Sequence, residues 1–171
     1  MLRKRRLERL QRWTTSLAGG LLVASLASTA LADSGSFEAA ASFTTNYSKL
    51  EVAGQSITGG SIHGSATIIK SIGGLFDEGS SVVLDCIVYA KKSDAGLDLE
   101  APCVNTDQGG DKIFYIGRRR VGDMKAGGEG NQELLGGTGK YSGLTGRCSF
   151  KTDYLQANLA VTRQKCQWQK P

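Results

Sequence analysis

Eight short segments with strand-like patterning constrain this chain more than any other feature of its sequence. Side chains on a β-strand alternate between two faces. Apolar residues at every second position, or β-branched runs, therefore indicate strands when glycine-bearing turns separate them. The candidate strands are residues 37–52, 61–72, 81–91, 97–107, 112–121, 129–135, 144–154 and 157–168. Helical patterns are nearly absent, so the sequence predicts an all-β fold.

Strands at this spacing fit either an antiparallel β-barrel or a β-sandwich. Strands joined by consecutive hairpins can close into a barrel, and closure leaves no unpaired edge that promotes aggregation. We therefore predict an eight-stranded antiparallel β-barrel, with the β-sandwich as the alternative. Several strands carry apolar residues on both faces, which also favours self-association.

The start of the chain has the pattern of an export signal rather than of a folded segment. Six basic residues precede an apolar run at 17–26, and residues 30–32 (Ala-Leu-Ala) match an A-x-A cleavage site. The apolar run is shorter than the about 20 residues needed to span a bilayer. We predict a signal peptide at 1–32 and a single β-barrel domain at 33–171, located in the periplasm or outside the cell. A retained N-terminal anchor and a twin-arginine export route are the alternatives.

The charge balance changes when that signal is set aside. The whole chain has 21 basic and 16 acidic residues, of which six and one, respectively, lie in residues 1–32. Residues 33–171 therefore carry 15 of each sign and no net charge. The overall basicity is then no argument for nucleic-acid binding. We expect neither a nucleic-acid partner nor a membrane span in the mature chain.

Four cysteines, Cys86, Cys103, Cys148 and Cys166, all lie in the part expected to be exported. Oxidising compartments favour disulfides, and four cysteines allow three pairings. Hairpins turning near 93–96 and near 156–158 would place Cys86 opposite Cys103 and Cys148 opposite Cys166, at a separation that a disulfide accepts. We predict these two cross-strand disulfides. No C-x-x-C pair is present, which argues against a zinc site.

A glycine-rich stretch, Gly136–Gly146, reads GGTGKYSGLTG. Glycine at this density indicates a tight turn that leads into a bulged or sharply bent strand. A phosphate-binding loop would need GxxxxGK[ST] between a strand and a helix. Here Lys140 is followed by Tyr141 and by a strand-like pattern, so a nucleotide site is disfavoured.

The same stretch resembles the GGTGxFxGxxG-type segment of dirigent proteins and of the wider allene oxide cyclase barrel-like group. The resemblance implies an eight-stranded antiparallel barrel, often trimeric, that encloses an apolar cavity and needs no cofactor. In that group the barrel steers a reactive guest or closes a ring. The catalytic carboxylates and tyrosines of those relatives lie outside the motif, so none is carried over to this chain. The export signal and the four cysteines depart from the plant members.

Three consecutive arginines, Arg118, Arg119 and Arg120, follow the mostly apolar run 113–117. On a strand, Arg119 shares a face with Tyr115, and its two neighbours lie on the opposite face. One face must therefore direct an arginine inward or toward the mouth of the barrel.

An inward arginine would need an acidic partner, and Asp85 and Glu100 lie on neighbouring predicted strands. Together with tyrosines they would form a polar patch in an apolar pocket, the usual form of a small-molecule site. The ligand-binding candidates are Tyr89, Tyr115 and Glu100. The catalytic candidates are Asp85, Tyr89 and Arg119. The alternative is a salt-bridged outer surface.

Two other features have simpler interpretations. His63 is the only histidine, so no histidine-based metal cluster can form, and no G-x-S-x-G elbow accompanies it. The turn 107–111 has two aspartates but lacks the ligand pattern of a calcium loop. We interpret it as a polar hairpin whose aspartates bond their own turn amides. We expect no metal and no cofactor.

Three functions remain open on the sequence alone. The first is a barrel that binds a small apolar or aromatic molecule. The second is a cofactor-independent cyclase or isomerase, or a dirigent-like guiding protein. The third is a structural or interaction protein of the cell envelope. The inward face of 81–91 discriminates among them, because Asp85 and Tyr89 facing a cavity would favour ligand handling. An interior packed with Leu84, Cys86 and Val88 would favour a structural role.

Overall fold

The computed structural model describes residues 33–124, 127–156 and 158–171. The predicted signal peptide, residues 1–32, lies outside the described residues. In the part of the chain that is described, no helix has the length and apolar character needed to cross a bilayer.

Eight antiparallel strands form a closed barrel in chain order. The strands are β1 (Asp33–Val52), β2 (Gln55–Ile72), β3 (Ser81–Ser93), β4 (Gly96–Thr106), β5 (Lys112–Arg119), β6 (Gly128–Gly137), β7 (Thr145–Gln156) and β8 (Leu159–Lys170). Each strand pairs with its chain neighbours, and β8 pairs with β1 to close the barrel. The predicted barrel is confirmed, and the sandwich alternative is wrong.

The long first strand is continuous and bends without breaking. Its pairing register with β2 shifts between Glu38 and Ala39, where Ile69 is the extra residue of a β-bulge on β2. Residues 33–44 pair with β8, and 36–44 of them pair with β2 as well, whereas 45–52 pair in the ladder with β2 alone. The β1–β2 hairpin therefore extends beyond the point where β8 begins.

Alternation along each strand decides which side chains fill the barrel. The inward side chains of β3 are Val82, Leu84, Cys86, Val88 and Ala90. The residues between them, including Asp85 and Tyr89, are exposed on the outer wall. Burial of the inward set removes apolar surface from water at about 25 cal/mol per Å². The side chains on the inner face of the barrel wall therefore form the core.

Both predicted disulfides are present. Cys86 and Cys103 are direct partners in the β3–β4 ladder, with their Cα atoms 4.1 Å apart. Cys148 and Cys166 are direct partners in the β7–β8 ladder, with a Cα separation of 4.0 Å. All four side chains are buried in the core. The two bridges therefore tie adjacent strands together from inside the barrel.

One end of the barrel is sealed by four aromatic side chains, here called the aromatic cap: Phe37, Phe76, Tyr141 and Trp168. The Phe76 ring lies 4.3 Å from Phe37, 5.6 Å from Tyr141 and 6.0 Å from Trp168, measured between ring centroids. All four residues are buried. Phe76 comes from the β2–β3 loop and Tyr141 from the glycine-rich stretch, so these two loops close this end.

The glycine-rich stretch forms the β6–β7 connection, with a short 3₁₀ turn at Gly139–Tyr141. The β5–β6 register shifts between Phe114 and Tyr115, which leaves a bulge on β6 beside Gly136. Gly139 has a φ of 50°, and a Cβ there would collide with the Asp111 carboxylate. The expected tight turn and strand bulge are both found, and the stretch serves to cap the barrel.

The 107–111 turn is fastened to that connection. Asp107 Oδ1 accepts hydrogen bonds from the backbone amides of Gly109 at 2.8 Å and Asp111 at 2.9 Å, as expected for a polar hairpin. Asp107 Oδ2 lies 2.8 Å from Lys140 Nζ. The hydrogen bond from Lys140 is the largest cause that holds the pKa of Asp107 below its usual value.

Removing either disulfide should lower the free energy of unfolding by about 3 kcal/mol. The two bridges close sequence separations of 17 and 18 residues, so the loss of chain entropy in the unfolded state is nearly the same for both. The test is guanidinium unfolding of the Cys86→Ala/Cys103→Ala and Cys148→Ala/Cys166→Ala variants. Losses that differ from each other by several kcal/mol would contradict this symmetry.

Asp107→Asn should have a lower free energy of unfolding than the wild type at pH 7. The difference between the two proteins should be smaller in acid. A depressed folded-state pKa means that the carboxylate stabilises the fold above the ordinary carboxyl pKa of about 3.9. That contribution is lost as the pH falls toward the lower folded-state value. Thermal unfolding at pH 7 and near pH 3 measures the change, with Asp94→Asn in the exposed β3–β4 turn as the control. A difference that stays constant across this range would contradict the expectation.

Candidate functional site

The lumen contains a cavity of about 80 Å³. Its apolar wall comes mainly from Phe43, Ile62, Leu84, Val88 and Leu99. Its polar lining includes Tyr47, Asn105, Tyr115, Arg119 and Tyr154. A mostly apolar lining with a few polar groups is the usual composition of a small-molecule site. We call this space the lumen cavity.

Arg119 is the charged group of the lumen cavity. Inward positions alternate along β5, so Ile113, Tyr115, Gly117 and Arg119 all face the interior, and the arginine side chain is only 2% exposed. Its Nη2 donates a hydrogen bond of 2.6 Å to the backbone carbonyl of Asp123 and lies 3.7 Å from Met124 Sδ. Its Nε is buried and has no hydrogen-bond partner. The guanidinium thus retains one donor without a partner.

Tyr47 and Tyr154 lie beside this arginine, and both are partly buried. Burial is the largest cause that raises the pKa of Tyr47, and a hydrogen bond with Tyr154 raises it further. The charge of Arg119 lowers the pKa of Tyr47, because the cation is close enough to interact electrostatically with the phenol. The Tyr47 phenol is therefore neutral at physiological pH and can donate a hydrogen bond.

Other polar groups in the lumen are already paired with one another. The hydroxyl of Tyr115 donates to Asn105 Oδ1 at 3.2 Å, and burial raises the pKa of Tyr115. The hydroxyls of Thr152 and Thr162 are 2.6 Å apart. Among the described residues, the buried side-chain atoms without a hydrogen-bond partner are Ser71 Oγ, Trp168 Nε1 and Arg119 Nε. Of these three residues, Arg119 is the one that lines the lumen cavity.

The structure separates the residues that the sequence had grouped into one site. Arg119 and Tyr115 face the lumen, whereas Asp85, Tyr89 and Glu100 lie on the outer wall. The reason is the alternation of β3 and β4, which turns their apolar residues inward and these three outward. The expected cluster around Asp85, Tyr89 and Arg119 is therefore not formed. Neither Asp85 nor Glu100 partners the buried arginine.

The two neighbours of Arg119 form salt bridges on the outer surface, which was the alternative interpretation of the arginine run. Arg118 Nε lies 3.1 Å from Glu100 Oε2, and Arg118 Nη1 lies 3.3 Å from Glu133 Oε2. Arg120 pairs with Asp98 on the outer wall. The three consecutive arginines are thus divided, with one inside and two outside. Strand alternation predicted this division without saying which face was internal.

Tyr47, Met124 and Tyr154 were not identified from the sequence. Tyr47 lies four residues after the buried Phe43 on β1, and Tyr154 lies two residues after the buried Thr152 on β7. Both residues therefore lie an even number of positions from a buried residue and face inward. This alternation could have identified them once the inward face was known. Met124 lies in the β5–β6 connection, where no periodic pattern places a side chain.

His63 belongs to the outer wall. Its Nδ1 lies 2.6 Å from Asp85 Oδ1, and the two side chains are 70% and 60% exposed. The Thr44 hydroxyl donates to the His63 backbone carbonyl at 3.3 Å. The pair is a solvated contact on the outer wall.

The chemistry available in the lumen is hydrogen-bond donation from a cation and from phenols. Of the residues that the structure describes, no aspartate, glutamate or histidine lines the lumen cavity. Among the described residues, no group of three His, Cys, Asp or Glu side chains is placed to hold a metal ion. The arrangement can orient the acceptor atom of an apolar guest, because the raised pKa values of Tyr47 and Tyr115 keep their phenols protonated.

Comparisons of the chain with protein-family models, with curated proteins and with solved structures found no match. Function is therefore inferred from the side chains of this chain alone.

Proposed function

We propose that the protein is an exported β-barrel that binds a small apolar or aromatic molecule in its lumen, without a cofactor. The observation that carries the proposal is the buried Nε of Arg119, which has no hydrogen-bond partner beside an apolar cavity. Leaving a buried donor unpaired costs about 1–3 kcal/mol, and more for a charged group. An acceptor atom on a bound molecule would supply the missing partner.

The two sides of the lumen cavity suit different parts of such a molecule. Leu84 and Val88 offer an apolar surface to its body. Arg119 and the Tyr47 phenol offer donors to a carboxylate, a carbonyl or an ether oxygen at its other end. A charged acceptor is favoured, because hydrogen bonds between ionised groups are roughly twice as strong as neutral ones.

The volume of the cavity limits the size of the guest. At about 80 Å³ it is smaller than an apolar cavity of about 150 Å³ that holds benzene. A short aliphatic chain fits the space most readily. A single aromatic ring requires Tyr47, Tyr154 or Met124 to move, and all three are only partly buried. We therefore place the entrance at the end of the barrel opposite the aromatic cap.

Export and family membership are parts of the same proposal. Two disulfides in a chain of this length support an oxidising compartment outside the cytoplasm. The eight-stranded antiparallel barrel is the fold implied by the resemblance to the allene oxide cyclase barrel-like and dirigent-like group. The sealed end and the apolar lumen also agree with a barrel that encloses a guest.

A cofactor-independent cyclase or isomerase, or a dirigent-like guiding protein, is the second candidate. The observation in its favour is that the Tyr47 and Tyr154 phenols line the cavity together with Arg119, which places proton donors near a cation. Binding is preferred because no carboxylate or histidine lines the cavity to accept a proton. The structural alternative is less well supported, since a filled barrel gives no reason to bury an incompletely bonded arginine.

Arg119→Met should weaken the binding of small carboxylates by about tenfold or more, which corresponds to the loss of one charge-assisted hydrogen bond. Hexanoate and benzoate serve as probes, with 1-hexanol as the uncharged comparison, and isothermal titration calorimetry measures the affinities. Arg120→Met is the matched control, because that arginine points outward on the same chain segment and pairs with Asp98. Its affinity for both carboxylates should stay within about twofold of the wild type.

The same Arg119→Met variant should keep or raise the thermal midpoint of unfolding. A methionine of similar length removes the cost of desolvating a buried cation. Residues that serve binding often lower the stability of the fold, so replacing one can raise it. A lower midpoint together with unchanged carboxylate affinity would instead assign Arg119 a structural role through its bond to the Asp123 carbonyl.

We also propose that the barrel associates with itself, as the resemblance to trimeric barrels implies. The outer wall of β3 and β5 exposes Val83, Ile87, Tyr89 and Phe114. Large contiguous apolar surface on a soluble protein marks an interaction site. Native mass spectrometry should detect a trimer that dissociates in the Ile87→Lys/Tyr89→Lys variant and persists in Leu155→Lys. A monomeric wild type at micromolar concentration would contradict this part of the proposal.

A further inference from the structure

The outer wall of the barrel carries a continuous shallow groove across β5, β6, β7, β8, β1 and the end of β2. Two adjoining concavities of about 870 and 840 Å³ form it. The lining residues common to both are Glu38, Arg118, Asn131, Ser149 and Lys165. We call this surface the outer groove, and most of its side chains are exposed to solvent on the face opposite the lumen.

Positive charge is concentrated in the outer groove. Its basic residues are Lys70, Arg118, Arg120, Arg147, Lys151, Arg163 and Lys165. Its acidic residues are Glu38, Glu129 and Glu133. Seven bases against three acids leave an excess of four positive charges, although residues 33–171 as a whole carry 15 charges of each sign. The remainder of that region carries the compensating excess of negative charge, of which Glu100 and Asp98 pair with Arg118 and Arg120.

Four of these cations have no acidic partner. Within the described residues, no carboxylate lies within 4.0 Å of the charged groups of Lys70, Arg147, Lys151 or Arg163. Lys151 and Arg163 are also direct partners in the β7–β8 ladder. Like charges directly opposite each other destabilise a sheet. An anionic partner lying across them would convert this repulsion into attraction.

The spacing of the cations suits an extended partner. Arg147 and Lys151 lie on one face of β7, separated by about 13 Å along the strand. Ser149 lies between them and is paired with Lys165 of β8. Together with neighbouring amide side chains such as Gln167, these hydroxyl and amide groups can bond the hydroxyls of a polymer between its charges.

We propose that the outer groove binds an anionic polysaccharide, a hydroxyl-rich chain that carries carboxylate or sulfate groups. A site for single-stranded nucleic acid needs exposed aromatic side chains on which bases stack. The described aromatic residues that line the groove, Phe37 and Phe150, are buried and half-buried, respectively. A lipid surface would call for an apolar face that inserts into the bilayer rather than a polar concave one. The groove shares only Gln132, Phe150 and Gln164 with the lining of the lumen cavity, and none of its charged side chains lines that cavity.

The test compares two triple variants that remove the same charge from different faces. Arg147→Gln/Lys151→Gln/Arg163→Gln removes three of the four unpartnered cations of the groove, those on β7 and β8. Lys91→Gln/Lys92→Gln/Lys112→Gln removes three cations outside it. Heparin and polygalacturonate are the sulfated and carboxylated probes, and dextran is the neutral one, with affinities measured by calorimetry on the purified protein.

We expect the wild type to bind both charged polymers and not dextran, with an affinity that falls as salt is added. The groove variant should bind about tenfold more weakly or worse, and the control variant within about twofold of the wild type. The thermal midpoint of the groove variant should be unchanged or higher, because the variant relieves the repulsion between positions 151 and 163. Loss of binding would then not result from unfolding.

Three results would overturn the proposal. The first is a wild type that binds neither charged polymer. The second is an equal loss of affinity in the two triple variants, which would show that net charge alone matters. The third is tighter binding to single-stranded DNA or to vesicles of anionic phospholipid than to either polysaccharide, which would assign the groove to another class of partner.

Discussion

The hydrogen-bonded pairing of β1 with β8 is the constraint on which the rest of the structure depends. It joins residues 33–44 to residues 159–170 and closes the barrel, so that every strand has two neighbours. Closure also fixes one face of each strand as internal, since a shift of one residue would turn every side chain around. The burial of Arg119, the exposure of Asp85 and the position of both disulfides follow from that choice of face.

Much of this fold could be predicted from the sequence because its signals are local. Period-two patterns located all eight strands, and the turns at 93–96 and near 157 fixed the register that pairs the cysteines. The glycine-rich stretch signalled a turn and a bulge, and both are present around Gly136 and Gly139. In each case the residues that carry the signal are adjacent in sequence or joined by a single hairpin.

The site could be predicted only in part, because the inward face depends on contacts between distant strands. β3 has apolar residues on both faces, with Val83 and Ile87 outside and Leu84 and Val88 inside, so its pattern does not choose between them. The partner of Arg119 was also beyond sequence reasoning, since it is the backbone carbonyl of Asp123 rather than an acidic side chain. Every residue has a backbone carbonyl, so the residue type does not show which one accepts a hydrogen bond.

The barrel thus has one end sealed by aromatic rings and a lumen whose charged group lacks a full set of hydrogen bonds. The central claim is that a guest completes that set. A high-resolution crystal structure of protein purified from cells that export it tests this claim most directly. We expect density for a small molecule with an acceptor atom within hydrogen-bond distance of Arg119 Nε and an apolar body against Leu84 and Val88. A lumen in which a protein atom bonds Nε and no guest is present would contradict the account.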